Sequence, residues 1–332
     1  MKELNSKMGV MKMKEIILII PAYNEANSIE ALIKRLDSVI ESLSNYHFQY
    51  LFVNDGSVDD TLLVLQEKSK NHPLVSYLDL SRNFGKETAM LAGLDYADSD
   101  AVIILDADLQ HPPEVIPKMI DYWEEGYEDI YAIRERSKDK NKIKNAVSEI
   151  YYKFLQKLTK EKVYPNVGDF RLLDRKCVLA LRELRESERY MKGMYSWIGF
   201  RKKEVYFKEE DRMTGSSKWS FIDLFKLAID GFTSYSTVPL KIWSYIGILI
   251  SLLSFIFLFF EIVKTLVYGT SPSGYPTLLA AIIFLGGIQL ISLGVIGEYL
   301  GRVFIETKGR PTYFIREKNV KESEALKDEQ TD

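Results

Sequence analysis

The 332 residues predict a doubly wound, mainly parallel α/β domain followed by a helical membrane hairpin. Three features predict it. Short apolar runs alternate with amphipathic segments in the N-terminal part of the chain, and three of those runs stop abruptly in polar clusters. Two uncharged stretches, Ile242 to Phe260 and Leu278 to Gly297, are each long enough to span a bilayer.

Ile16 to Ile20 reads as a strand buried on both faces, with Pro21-Ala22-Tyr23-Asn24-Glu25 as a loop at its carboxyl end. Ser28 then caps a helix running to about Leu43, whose stripe is Ile29, Leu32, Ile33, Leu36, Val39, Ile40 and Leu43. A second strand, Tyr50 to Val53, ends in Asn54-Asp55-Gly56-Ser57, and Asp59 or Asp60 caps the next helix. The third strand is Val75 to Leu80; Ser81 to Gly85 is a loop and Lys86 to Tyr96 is helical. The fourth strand, Val102 to Leu105, runs into Asp106-Ala107-Asp108. Alternation of this kind calls for right-handed crossovers between parallel strands.

Beyond Gln110, Pro112-Pro113-Glu114 starts a helix and Ile130 to Ile133 is a further strand. Lys142 to Lys160 is a basic amphipathic helix suited either to core packing or to a membrane surface. Asp169 follows Gly168 just ahead of a short apolar segment, a pattern that alone reads as a turn. Arg212-Met213-Thr214-Gly215-Ser216-Ser217-Lys218 has the composition of a mobile clamp on a diphosphate and equally of a solvated loop. Trp219, Ile222, Phe225, Ile229 and Phe232 recur at helical spacing and suit a helix lying in the membrane interface.

The chemistry centres on Asp106 and Asp108. In extended chain, residues two apart point the same way, which suits a divalent cation bridging to phosphate oxygens; an Asp turn is the competing reading. In a doubly wound sheet the ends of the first, second and fourth strands share one crevice, so the three polar clusters converge. No Gly-x-Gly-x-x-Gly follows the first strand and no Gly-Lys-Ser/Thr loop occurs, which argues against both a dinucleotide fold and a P-loop. A net charge of −3 argues against a nucleic-acid reader. Cys177, the one cysteine, leaves no internal disulfide and fits a reducing compartment. The apolar run at Ile16 to Ile20 is too short for a signal peptide.

Lys218, Lys226 and Lys241 precede the first span and Arg302, Lys308, Arg310, Arg316 and Lys318 follow the second, whereas the segment between carries only Lys264. Both termini are therefore expected in the cytoplasm. The expected organisation is an N-terminal extension (1–13), a catalytic domain (14–217), an interfacial helix (218–237), a hairpin (238–300, spans about 242–263 and 278–299) and a cytosolic tail (301–332).

With these elements placed, the chain resembles family 2 glycosyltransferases of the GT-A, Rossmann-like fold. More narrowly it resembles the polyprenyl-phosphate glycosyltransferases, dolichyl-phosphate mannose synthases and bactoprenol glucosyltransferases. The matching motifs are Ile20 to Glu25, Val53 to Ser57, Ser81 to Lys86, Asp106 to Glu114, Gly168 to Arg171 and Arg212 to Trp219. The hairpin with Gly297-Glu298-Tyr299-Leu300-Gly301-Arg302 resembles the bacterial branch.

The resemblance implies nucleotide-sugar binding by Pro21, Tyr23, Glu25, Asp55, Lys86, Asp106 and Gln110. It implies Mg2+ or Mn2+ on Asp106 and Asp108 with Gln110 as a further ligand, and catalysis by Asp169, Asp108, Arg212 and Lys218. His111 is read as structural rather than ligating. Asp169 matches a position often assigned as base, yet a lipid monophosphate with second pKa about 6 needs little deprotonation, so orientation is its alternative role. Arg302, Lys308 and Arg310 attract a lipid phosphate or serve as snorkelling anchors. The implied reaction is inverting transfer of a hexose, UDP-glucose first among donors, to undecaprenyl phosphate at a bacterial plasma membrane. UDP-galactose, UDP-N-acetylglucosamine and GDP-mannose are the alternative donors, and a homo-oligomer and a separate flippase are partners left open. The competing readings are a GDP-mannose-using mannose synthase and a non-catalytic scaffold. The Gln-x-x-Arg-Trp motif of processive synthases is absent.

Overall fold

A computed structural model describes residues 13–135, 167–187, 189–208, 238–268 and 274–320. It divides into two units, one built from residues up to 208 together with the stretch after Arg310, the other from the two long helices.

The first unit is built on an eight-stranded sheet. Its elements are β1 (Lys14–Ala22), α1 (Ile29–Ile40), β2 (Tyr46–Asn54), α2 (Thr61–Asn71), β3 (Val75–Leu80), α3 (Lys86–Tyr96) and β4 (Ala101–Ile104). There follow a single 3-10 turn at Pro113–Val115, α4 (Ile116–Glu124), β5 (Asp129–Arg134), β6 (Val167–Asp174), α5 (Arg175–Glu183), α6 (Met191–Trp197) and β7 (Lys202–Phe207). After the helices of the second unit comes β8 (Ile315–Lys318). Strand order is β7-β5-β6-β4-β1-β2-β3-β8.

β1, β2, β3 and β4 are parallel, as the sequence predicts, with registers Lys14↔Tyr46, Ile16↔Ala101 and Tyr50↔Val75. β6 runs antiparallel between β4 and β5, and β8 antiparallel beside β3. From β1 the chain winds out through β2 and β3, then returns to place β4 on β1's other side, and ligands bind at such a reversal outside the carboxyl ends.

Alternation along the strands loads both faces. Ile16, Leu18, Ile20, Tyr50, Phe52 and Ile103 pack one face against Leu32 and Leu36 of α1 and Met119 and Trp123 of α4. Ile17, Ile19, Leu51, Val53, Val102 and Ile104 pack the other against α3, Cys177 of α5 and Met194 of α6. In α3 every residue from Ala89 to Tyr96 is buried. A Cβ on Gly93 would lie 2.4 Å from Ile19 Cγ2, so only glycine lets α3 sit this close to β1.

Several boundaries differ from those read in the sequence. Ser28 sits at the N-cap of α1, but its hydroxyl donates to the carbonyl and carboxylate of Glu25 instead of capping. Asp60 occupies the N-cap of α2 without a side-chain cap, and it is Asp59 that accepts from the Thr61 N–H at 3.0 Å. Asp169 lies within β6 rather than in a turn. Residues 315–318, read as tail, form β8. There Arg316 donates to the Ser81 carbonyl, Glu317 accepts from Gln66 and Tyr77, and the Asn319 carboxamide accepts the Tyr77 N–H at 2.6 Å.

The second unit comprises α7 (Val238–Tyr268) and α8 (Tyr275–Thr307). Among the described residues one stretch, Phe284–Thr307, is long and apolar enough to cross a membrane. Large apolar side chains are exposed on both helices, including Phe255 and Phe259 on α7 and Phe284 and Leu290 on α8. Arg302 pairs with Glu298 one turn back at 3.0 Å. Residues 1–12, the helix expected at 142–160, the clamp loop with Arg212 and Lys218, and the interfacial helix at 218–237 lie outside the described residues.

Candidate active site

The three polar clusters meet in one cleft of about 320 Å3. Pro21, Tyr23 and Glu25 come from the end of β1, Asp55 from the end of β2, and Asp106 and Asp108 from beyond β4. Asn83, Gly85 and Lys86 enter from the loop ahead of α3.

The loops are tied to one another before any ligand arrives. The Asp55 N–H donates to the Ala22 carbonyl at 2.9 Å, joining the ends of β1 and β2. Asn24, at φ 58°, donates its N–H to Ser57 Oγ, and its side chain accepts the Val58 N–H, both at 2.9 Å. Gly56 has φ +63°, and a Cβ there would fall 2.3 Å from the Arg82 carbonyl carbon, so the β2 and β3 loops touch only because it is glycine. Asp55 holds the third loop: Oδ1 accepts from the Phe84 N–H at 2.7 Å and Oδ2 from the Gly85 N–H at 2.9 Å. Burial raises the Asp55 carboxyl above its ordinary value, against the pull of those two N–H groups. Its first task is therefore to fix the entry to α3.

Asp106 and Asp108 both line the cleft, but not by the geometry the sequence suggested. β4 stops at Ile104, and the pair lies in a turn where the Gln110 N–H donates to Asp108 Oδ1 at 3.1 Å. Leu109 closes the turn at φ 64°, a conformation costly for a branched side chain, and its burial holds it there. Gln110 itself does not line the cleft. His111 is structural: its Nδ1 accepts the Asp106 N–H at 3.2 Å and its ring stacks on Phe170 with centroids 5.1 Å apart. Burial keeps it below its usual pKa despite Asp106 nearby, in keeping with a neutral ring that accepts at Nδ1.

Asp169 joins the site through Lys86. The Lys86 ammonium lies 2.6 Å from Asp106 Oδ1 and 2.9 Å from Asp169 Oδ2. Burial alone would lower the lysine's pKa, but the two carboxylates outweigh it and raise it. Burial likewise pushes Asp169 up, and Lys86 outweighs that, holding the carboxyl below its ordinary value. Asp169 is thus an ionised, largely buried group.

Behind Asp169 stands a second layer to which the sequence assigned no role, although Arg171 falls within one of the matching motifs. Arg171, two residues on along β6, is buried with Asp129 at 3.0 Å and lies 3.4 Å above the Tyr195 ring. Glu87 Oε2 accepts the Met191 N–H at 2.9 Å, and burial, reinforced by Asp169, pushes its carboxyl up to about 7. The available signal was Gly85-Lys86-Glu87, a glycine followed by two charges at the start of an otherwise buried helix.

Two carboxylates on an open cleft fit a hard divalent cation. No group of three or more His, Cys, Asp or Glu among the described residues forms a closed cage. That is the arrangement in which Mg2+ is bound by one or two carboxylates plus substrate phosphates and water.

Residues 17–181 match the family described as glycosyl transferase family 2, and residues 238–303 match the GtrB C-terminal hairpin. An uncharacterized glycosyltransferase of Synechocystis sp. is 46% identical over 91% of this chain and 94% of its own length. The bactoprenol glucosyl transferase of Shigella phage SfV is 41% identical over 92% of this chain and 100% of its own. Among solved structures, a glucosyl-3-phosphoglycerate synthase from Mycobacterium tuberculosis is 17% identical. It aligns at TM-score 0.48 over 65% of this chain and 75% of that one.

Proposed function

We propose, for a chain that belongs to glycosyl transferase family 2, transfer of glucose from UDP-glucose to a membrane polyprenyl phosphate with inversion at the anomeric carbon. Its sheet and helices are those of the GT-A fold. The observation that carries the reading is the single cleft in which Glu25, Asp55, Asp106 and Asp108 meet, with Asp169 reached through Lys86. Likeness over the full length of a bactoprenol glucosyl transferase supports the acceptor, and the hairpin match supports its delivery from a bilayer.

An oxygen of the acceptor phosphate attacks the anomeric carbon as the bond to the departing diphosphate breaks, its electrons passing to that diphosphate. Tyr23, Glu25 and Asp55 take the nucleoside end of the sugar donor. Asp106 and Asp108 would hold Mg2+ or Mn2+, which when bound neutralises the charge collecting on the diphosphate. Asp169, ionised and paired to Lys86, orients the acceptor more than it deprotonates it, since a phosphate monoester with second pKa about 6 is already largely dianionic. Arg212 and Lys218 add positive charge at the leaving group. α7 and α8 cross the bacterial plasma membrane as a hairpin, with both flanks cytoplasmic.

The test is incubation of the purified full-length protein with undecaprenyl phosphate, a divalent metal and a panel of nucleotide sugars, reading the lipid product by mass. A hexose adduct from UDP-glucose is expected, and Asp106→Ala and Asp108→Ala should each lower its rate by roughly 100-fold or more. No adduct from any sugar donor would overturn the transferase reading.

A further inference from the structure

The reaction explains why carboxylates line the cleft. It does not explain why a lysine ties two of them together. Lys86 is the first residue of α3, and its backbone is fixed from both sides: Asp55 holds the preceding N–H groups and Gly93 seats the helix on β1. Its side chain is not fixed in the same way. It remains 42% exposed toward the cleft, on a stem with four rotatable bonds, and ends as a compact point charge rather than a planar fork.

At its far end the ammonium lies 2.6 Å from an oxygen of Asp106, one of the two carboxylates proposed to hold the metal. The same ammonium lies 2.9 Å from Asp169 Oδ2. The other Asp169 oxygen is buried with no hydrogen-bond partner, so Lys86 is the side chain that neutralises this carboxylate at contact distance. Two cations on one carboxylate repel each other at such short range.

We propose that Lys86 is a resident counter-ion of the metal site, one that a divalent cation must displace from Asp106, so that metal entry also reorganises the contact that neutralises Asp169. This rests on the metal reading of Asp106 and Asp108. Lys86 is then a positioning residue for Asp169 and a brake on metal binding. Its tether keeps the displaced ammonium near the cleft, with Asp169 still at contact distance.

The inference reverses the usual direction of a mutation. Removing a residue from a binding site ordinarily weakens binding, whereas removing this one tightens it. The experiment is titration of the full-length protein in detergent with Mn2+, reading free Mn2+ by electron paramagnetic resonance with UDP present. The proteins compared are wild type, Lys86→Met, Lys86→Arg and Asp106→Asn. Lys86→Met should bind Mn2+ roughly tenfold more tightly than wild type while its transfer rate falls. Lys86→Arg, which keeps the charge, should stay near the wild-type affinity. Lys86→Gln keeps a neutral hydrogen-bond donor and serves as the second uncharged variant should the Met protein not fold; the same tightening is expected.

Unchanged or weaker Mn2+ binding in folded Lys86→Met or Lys86→Gln overturns the counter-ion role while leaving the metal site standing. Wild type that binds no Mn2+, or Asp106→Asn that binds it equally well, overturns the metal reading and this inference with it.

Discussion

Glu87, in the layer behind Asp169, ties the stability of the fold to pH. From an ordinary 4.5 its carboxyl is pushed up to about 7 by burial, with Asp169 adding to the effect. The linkage has a definite sign. Below the ordinary value both folded and unfolded chains are protonated there; between it and about 7 only the folded chain holds the proton. Stability therefore falls as pH rises through that window, and the full penalty persists above it. Glu87→Gln keeps an acceptor for the Met191 N–H and removes the titration. Its melting temperature relative to wild type should climb between pH 5 and pH 8, by the equivalent of about 1–3 kcal/mol. A difference that stays constant across that range would show that Glu87 is not the titrating group.

At the scale of elements, α3 decides whether the site exists, because it carries Lys86 into the cleft and Glu87 into the layer behind Asp169. Gly93→Ala pits two effects against each other. Alanine in a helix interior gains about 1 kcal/mol over glycine. The new methyl, however, meets fully buried Ile19 at 2.4 Å, and overpacking of that kind costs about 1–3 kcal/mol. Packing should win, giving a net loss near 1 kcal/mol by chemical denaturation together with weaker nucleotide binding as Lys86 shifts; a stabilised variant would show that α3 has room to move. The same scale explains what the sequence disclosed. β3 and α3 fall where their patterns place them, because Val75 to Leu80 is buried at every position but Ser76 and Lys86 follows a loop glycine. β2 begins at Tyr46, earlier than its apolar run, since His47 and Gln49 are held by pairing with Glu15 and Ile17 and not by burial. β7 and β8 are edge strands rich in charge, Lys202-Lys203-Glu204 and Arg316-Glu317-Lys318, so they carry no apolar signature. The convergence of three strand ends was legible from topology. The bridge from Lys86 to Asp169 was not, because β6 inserts antiparallel beside β4 and nothing local in the sequence says so.

At the scale of the whole chain, β8 carries an argument about the membrane that composition alone does not. The sheet begins with β1 at Lys14 and is completed, beyond α7 and α8, by Ile315 to Lys318 pairing with β3. A chain that leaves a folded unit and later rejoins it must cross any intervening bilayer an even number of times. A count of two, one for each long helix, is what the proposed hairpin requires. The hairpin proposed above would put the residues between α7 and α8 on the side of the membrane opposite the sheet. Cys177 is buried and burial pushes its thiol well above the ordinary range, so it reacts little and introduced cysteines can be read against a low background. Ser271→Cys, between the helices, should react with a membrane-impermeant maleimide in intact cells. Glu329→Cys, beyond β8, should react only after permeabilisation. Labelling at 329 in intact cells, or at 271 only after permeabilisation, would contradict the hairpin topology and with it a cytoplasmic active site.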